Sequence, residues 1–194
     1  MKLLFIILLI LLSVAEVNAH SLLNRYSGFE SGFGHPILGI DHFIAMIGVG
    51  LWGAQIGSKS IWVLPISFPL IMTLGSLIAI SSIYSFLYVE IVIILSVIIL
   101  GLVIAFSWSP HSLIVLSFIF IFALYHGFAH GNELPNSSDP LKFITGFVIS
   151  TGLIHLIGVG IGYYSNKFYE GKFSRVIGGV IFFMGLYLLI MEIM

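Results

Sequence analysis

The fold class this sequence predicts is all-α, a polytopic membrane bundle of six transmembrane helices after a cleavable signal peptide. Three observations predict it. Of 194 residues, 59% are hydrophobic and only 8% charged, where soluble domains carry about 25% charged residues. The apolar residues gather into six stretches near the ~20 residues that a membrane span needs. The breaks between those stretches carry turn-forming or charged residues. Mean hydropathy is +1.18, so the chain lacks the polar surface that a water-exposed globule requires.

At the N-terminus, Lys2 precedes an apolar run over 3–12, and a polar stretch then ends in Val17-Asn18-Ala19. A short positive region, an apolar core and small residues at −3 and −1 read as a secretory signal peptide over 1–19. The alternative is an uncleaved first span, but the apolar run is shorter than a span needs. Cleavage after Ala19 leaves His20 as the mature N-terminal residue, heading a single six-helix domain over 20–194. A polar segment follows over 20–34. The spans are then expected at about 36–57, 61–82, 86–107, 112–131, 142–164 and 174–193. Short loops on the inner side favour basic residues. With the mature N-terminus translocated, the inner loops and their margins hold Lys59, Lys167, Lys172 and Arg175, against Arg25 and Lys142 outside. The sequence therefore places the chain in the cytoplasmic (inner) membrane with both mature termini periplasmic.

Composition also excludes functions. A formal charge of −1 with no basic patch argues against nucleic acid as a partner. No cysteine is present, which removes disulfides, thiolate metal sites and iron–sulfur clusters. No nucleotide-binding loop occurs. The lipid bilayer is the expected surrounding, and nothing in the letters sets whether the chain forms a homo-oligomer.

Ionisable groups inside spans are expensive and mark functional sites by default. They fall here in three places. His35, Asp41 and His42 lie at the outer end of the first span. Pro36 suits a first helical turn, which would leave His35 at the helix lip, with His42 two turns on along about the same face. Asp41 is placed either to bind an ion directly or to hold an imidazole by hydrogen bond. Met46 continues this face and reads as packing. The second place is the stretch YHGFAHGNELP, where His126 and His130 stand at i and i+4 and Glu133 follows one turn later. Two such histidines plus a carboxylate commonly seat a divalent transition ion, though two satisfied histidines near a helix end would look the same. Gly127 and Gly131 permit close helix approach.

The third place is His155 in TGLIHLIGVGIG. A lone buried histidine is commonly neutral and hydrogen-bonded to a neighbouring helix. Gly152, Gly158, Gly160 and Gly162 around it point to tight helix contact. At 1.5 Å per residue, His42 should lie roughly 9 Å below the outer surface and His155 roughly 18–20 Å below it. Two clusters can then meet near the exterior face, with one imidazole deeper. A ligand set of imidazole and carboxylate suits nickel, cobalt or zinc better than copper(I). His20 adds an α-amine beside its own imidazole, a pair that can chelate an ion at the outer mouth once both are deprotonated. Glu90, near the outer end of the third span, suits neutralising a positive ion or sitting at headgroup level alike, and His111 reads as an exposed loop residue, with an exit ligand as the alternative. Trp52, Trp62 and Trp108 read as interfacial anchors and packing.

These residues carry a resemblance. HPILGIDH followed by AMIGVGLWGAQIG resembles the signature of the HupE/UreJ family of nickel and cobalt permeases. HGFAHGNELP resembles that family's second motif, and GLIHLIGVGIG its third. The likeness spans nearly the whole chain. It implies secondary uptake of Ni²⁺ or Co²⁺ as transported substrate, with no prosthetic group, and an indirect link to hydrogenase, urease or cobalamin assembly. It implies His35, Asp41 and His42 as first-motif residues, His126, His130 and Glu133 as second-motif residues, and His155 with the third. Members often carry a His-rich stretch after the signal, where this chain offers only His20.

The leading reading is thus a permease and not an enzyme. Binding would exchange some of the ion's water for deprotonated imidazole and carboxylate, so it should weaken toward the ordinary imidazole pKa of ~6.5. Two other classes stay open. A membrane His-cluster metal oxidoreductase would show repeated His pairs, and only one His-x-x-x-His occurs here. A non-transporting metal-binding accessory protein would bind metal without accumulating it.

Overall fold

The computed structural model describes residues 28–81, 84–135 and 138–194. Among them are seven helices and no strand: α1 Phe29–Leu38, α2 Ile40–Ile56, α3 Ser60–Ser81, α4 Val89–Ala105, α5 Ser112–Asn132, α6 Pro140–Tyr169 and α7 Lys172–Ile193. The signal-peptide expectation and His20 lie outside the described residues. Helices α3, α5, α6 and α7 are each long and apolar enough to cross a membrane. The pair α1 and α2 makes a fifth such span if counted together, and α4 is apolar but shorter.

One expectation needs correcting. The stretch over 36–57 is not one straight helix. A helix already begins at Phe29, and the chain bends by 80° between α1 and α2. Pro36 accordingly sits inside α1 and not in a first turn. It removes the backbone N–H that would tie that turn back to Gly32. Directly after α1, Gly39 takes an extended conformation (φ −77°, ψ 111°), and helix geometry restarts at Ile40. His35 and His42 therefore stand on different helices.

The remaining ends follow local chemistry. Asp139 caps α6 by accepting from the N–H groups of Leu141 (2.9 Å) and Lys142 (3.3 Å), with Pro140 in the first turn where its missing donor costs nothing. Gly57 closes α2 at φ 75°, a left-handed conformation that a side chain disfavours. His111 caps α5, its Nδ1 accepting from the N–H of Leu113 at 3.4 Å. That accounts for this exposed histidine structurally.

Lipid tails are as apolar as leucine, so helices in a bilayer associate through close packing and hydrogen bonds. Glycines provide the close packing here, in reciprocal pairs. A Cβ at Gly75 of α3 would strike the Leu124 carbonyl of α5, and one at Gly127 of α5 would strike the Met72 carbonyl of α3. The Ser76 hydroxyl donates to the Gly127 carbonyl across the same seam at 2.7 Å. Between α2 and α6, Gly50 faces the His155 carbonyl and Gly158 faces the Ile47 carbonyl. Gly32 and Gly146 pair α1 with α6 in the same way. Of the four glycines expected to press against a neighbour near His155, Gly158 and Gly162 do so, while Gly152 and Gly160 face open space. Gly160 lies on the opposite side of α6 from Gly158 and Gly162, because residues two apart on a helix point some 200° apart.

The core between these seams holds Met46, Leu51, Trp52, Leu64, Phe68 and Phe147, all essentially inaccessible. Trp52 is thus a core residue and not an interfacial anchor. Its indole N–H donates to the Trp108 carbonyl at 2.9 Å, which satisfies the polar end of a buried ring. Trp62 and Trp108 are exposed.

Candidate metal centre

Three helix ends meet where the polar residues gather. The last turn of α1 supplies His35, the first turn of α2 supplies Asp41 and His42, and the last two turns of α5 supply His126 and His130. Glu133 follows directly as the α5 C-cap. All four histidines are buried.

The rings form a connected cluster. His42 lies 5.7 Å from His35, 4.7 Å from His130 and 5.1 Å from His126, measured between ring centroids. His35 and His130 are 4.7 Å apart. His35, His42 and His130 each bring one ring nitrogen within 4.8 Å of the others, a spacing that can hold a single metal ion. The bend at Gly39 makes this possible: it turns α1 back so that His35 faces His42 across a corner.

Hydrogen bonds decide which nitrogen each ring offers. His42 Nδ1–H donates to Asp41 Oδ1 at 3.0 Å, which leaves Nε2 as a lone pair with no hydrogen-bond partner among the described residues. His126 Nδ1–H donates to the Phe122 carbonyl at 2.8 Å, and its Nε2 likewise has no partner. His35 Nε2–H donates to Glu133 Oε2 at 2.7 Å. Neither nitrogen of His130 has a partner among the described residues; its ring lies flat on Phe147, centroids 5.0 Å apart and planes 8° from parallel. Leaving a buried nitrogen unpaired costs about 1–3 kcal/mol. Several such atoms in one connected cluster of buried rings make an arrangement that a cation could satisfy. Carboxylates behind ligating imidazoles set the tautomer and strengthen the donor.

His155 is not part of this cluster. It lies deeper, in the middle of α6, with Nδ1 3.3 Å from the Pro65 carbonyl of α3 and Nε2 without a partner among the described residues. Glu90 is exposed in the first turn of α4. Met46 is packed in the core.

The family described as HupE / UreJ protein matches residues 7–188. The chain belongs to the HupE/UreJ family. Protein HupE of Rhizobium leguminosarum bv. viciae is 34% identical over 178 residues, which cover 91% of this chain and 89% of that protein. No solved structure matches.

Three contributors to the site of this HupE/UreJ chain are not legible in its motif spacing. Phe147 supports the His130 ring, Phe68 touches both His126 (5.5 Å) and His155 (5.4 Å), and Pro65 holds His155. Aromatic and proline residues are too common in membrane helices to stand out. One signal was present for Pro65: Pro69 follows at i+4, and a proline there frees the carbonyl four residues earlier.

Proposed function

We propose that this chain is a permease for secondary uptake of Ni²⁺ or Co²⁺ across the cytoplasmic membrane, with His35, Asp41, His42, His126, His130 and Glu133 as the outward-facing site and His155 below it. One observation carries the reading: nitrogen donors of His35, His42 and His130, from three helices, lie within 4.8 Å of one another on buried residues, and those of His42 and His130 include nitrogens with no hydrogen-bond partner among the described residues. The carboxylates of Asp41 and Glu133 behind His42 and His35 balance the two charges of a divalent ion. A buried cation is tolerable only with such pairing. Imidazole donors without thiolate favour nickel, cobalt or zinc over copper(I), and the family resemblance selects nickel or cobalt among them.

The topology completes the proposal. The bent pair α1 and α2 counts as one crossing and α4, ~26 Å long at 1.5 Å per residue, as a short one, which makes six. A signal peptide over 1–19 then leaves both mature termini periplasmic. Lys59, Lys167, Lys172 and Arg175 fall at the helix ends remote from His42, in keeping with a basic inner side. His20 would join as an accessory ligand at the outer mouth. The ion is cargo for metalloenzyme assembly such as hydrogenase, urease or cobalamin synthesis, and the protein performs no covalent chemistry.

Purified full-length protein in proteoliposomes tests this. Ni²⁺ or Co²⁺ should enter and accumulate, Mn²⁺ should compete weakly, and a proton gradient should alter the rate if it drives uptake. Metal entry no faster than in protein-free vesicles would overturn the proposal.

A further inference from the structure

The glycine seams sort the seven helices into three bodies. Gly32 and Gly146 lock α1 to α6, and Gly50 and Gly158 lock α2 to the same helix. Gly75, Gly127 and Gly131 hold α3 and α5 together, while Gly101, Gly178 and Gly185 join α4 to α7. At each of these positions a Cβ would strike main-chain atoms of the partner helix. The two backbones are therefore in contact, and they cannot part without losing the close packing that holds helices together in lipid. Among the described glycines, only Gly53 makes such a contact from one body to another. Its neighbour is the Ser60 carbonyl, just across the short turn between α2 and α3.

The candidate metal donors are divided between two of these bodies. His35, Asp41 and His42 belong to α1–α2–α6, whereas His126, His130 and Glu133 belong to α3–α5. Rings meet across that boundary: Phe147 lies flat on His130, Phe68 packs edge-on against His155, and His42 borders His126 and His130. His155 also reaches the Pro65 carbonyl across it, at 3.3 Å. At the cluster end, the His35–Glu133 contact of 2.7 Å spans the boundary.

The opposite end is tied more firmly. Gln55 of α2 donates to the Ile104 carbonyl at 3.0 Å and to Ser107 Oγ at 2.8 Å. The Trp52 indole bonds the Trp108 carbonyl beside them, and the Ser174 N–H of α7 donates to Ser165 Oγ of α6 at 2.8 Å. The Gly53–Ser60 contact lies at this end too. Between the two ends there is slack where all three bodies meet. Val49 of the first, Phe68 and Ile119 of the second, and Leu100 and Val103 of the third line one apolar cavity. A void forfeits contacts that a packed seam keeps.

We propose that α1, α2 and α6 swing as one rigid body against α3 and α5, pivoting at the end remote from the cluster. Closing assembles the metal donors; opening parts them and breaks the His35–Glu133 contact. This motion rests on the transport reading above and adds to it how the site opens. The four clustered histidines are at most 8% exposed, so an ion enters only if something moves. Parting a glycine seam would separate backbones in contact, whereas parting the ring-lined boundary disturbs side chains alone. An ion that touches donors of both bodies binds the closed state better and so shifts the equilibrium toward it. Rocking of one bundle against another around a fixed site is a general route to alternating access.

The chain has no cysteine, so pairs of nitroxide labels can be placed on the full protein without removing any. Their separations are read by pulsed electron resonance in nanodiscs, with EDTA or with Zn²⁺, a diamagnetic ion that suits the same donors. Uptake of Ni²⁺ and Co²⁺ is measured in parallel in proteoliposomes. All labelled positions are exposed and lie outside the cluster. Leu77→Cys with Leu141→Cys reads α3 against α6 at the cluster end, and Leu113→Cys with Tyr163→Cys reads α5 against α6 at the far end. Phe29→Cys with Ile157→Cys lies within the first body, and Leu77→Cys with Ile114→Cys within the second.

In EDTA the cluster-end pair should show a second separation longer by about 5 Å, the scale of a one-turn helix shift. Zn²⁺ should merge it into the shorter one. The other three pairs should each give a single separation that Zn²⁺ leaves unchanged. If the protein takes up Ni²⁺ or Co²⁺ while the cluster-end pair keeps one separation throughout, or while the pairs within a body spread as widely, the swing is overturned and the transport reading stands. If Zn²⁺ merges two separations as expected but no metal enters the vesicles, the swing stands and the transport reading falls.

Discussion

The imidazoles of His42 and His130 lie 4.7 Å apart between centroids, although one opens α2 and the other closes α5. Neither ring makes sense alone in an apolar bundle; together they present unpaired nitrogens to a common point. Replacing either His42 or His126 by Ala should abolish Ni²⁺ and Co²⁺ uptake in proteoliposomes while the protein still reaches the membrane at wild-type levels. Normal uptake by both variants would remove them from the site.

The carboxylates act through the histidines. Asp41→Asn and Glu133→Gln keep the shape of each side chain but weaken its hold on His42 Nδ1 and His35 Nε2. Loss of such a partner typically costs 10–100-fold in metal affinity. The half-saturating metal concentration for uptake should rise by about that factor, and excess metal should restore the maximal rate. An unchanged concentration dependence would show that the carboxylates do not tune the site.

The glycines of α6 allow a paired comparison. Gly158 presses on the Ile47 carbonyl, whereas Gly160 faces open space. Overpacking a tight contact costs typically 1–3 kcal/mol. Gly158→Val should therefore lower the thermal unfolding temperature and the folded yield in detergent, while Gly160→Val should leave both near wild type. Equal effects would contradict the packing described for α2 and α6.

Pro69→Ala supplies the N–H that the Pro65 carbonyl lacks, so the helix would recapture the oxygen that His155 now uses. Alanine is about 3 kcal/mol better than proline inside a helix, so thermal stability should rise. Uptake should fall by about tenfold, the lower end of what losing a partner behind an imidazole costs. A more stable protein with unaltered uptake would show that His155 needs no such anchor.

Much of this was readable in the chain before any contact was known. The helices α3 to α7 lie within a few residues of the apolar stretches, because length and hydropathy alone decide what can sit in a bilayer. The i, i+4 spacing of His126 and His130 already placed both rings on one helix face. Gly127 and Gly131 were identifiable as contact points. The first apolar stretch misled: Pro36 fits either a helix start or a weakened interior turn, and only packing against α6 at Gly32 and Gly146 distinguishes them.

By itself, then, the sequence determined the membrane class, the helical content and the donor types gathered at one end. Those follow from local properties: hydropathy, helical period and the chemistry of each side chain. Tertiary structure decided the corner at Gly39 that brings His35 to His42, the depth at which His155 stands apart, and the placing of Phe68 between His126 and His155. The reason is that register between helices is set where distant backbones touch. Gly50 against the His155 carbonyl and Gly127 against the Met72 carbonyl join segments far apart in the chain, and no local pattern encodes which pairs will meet.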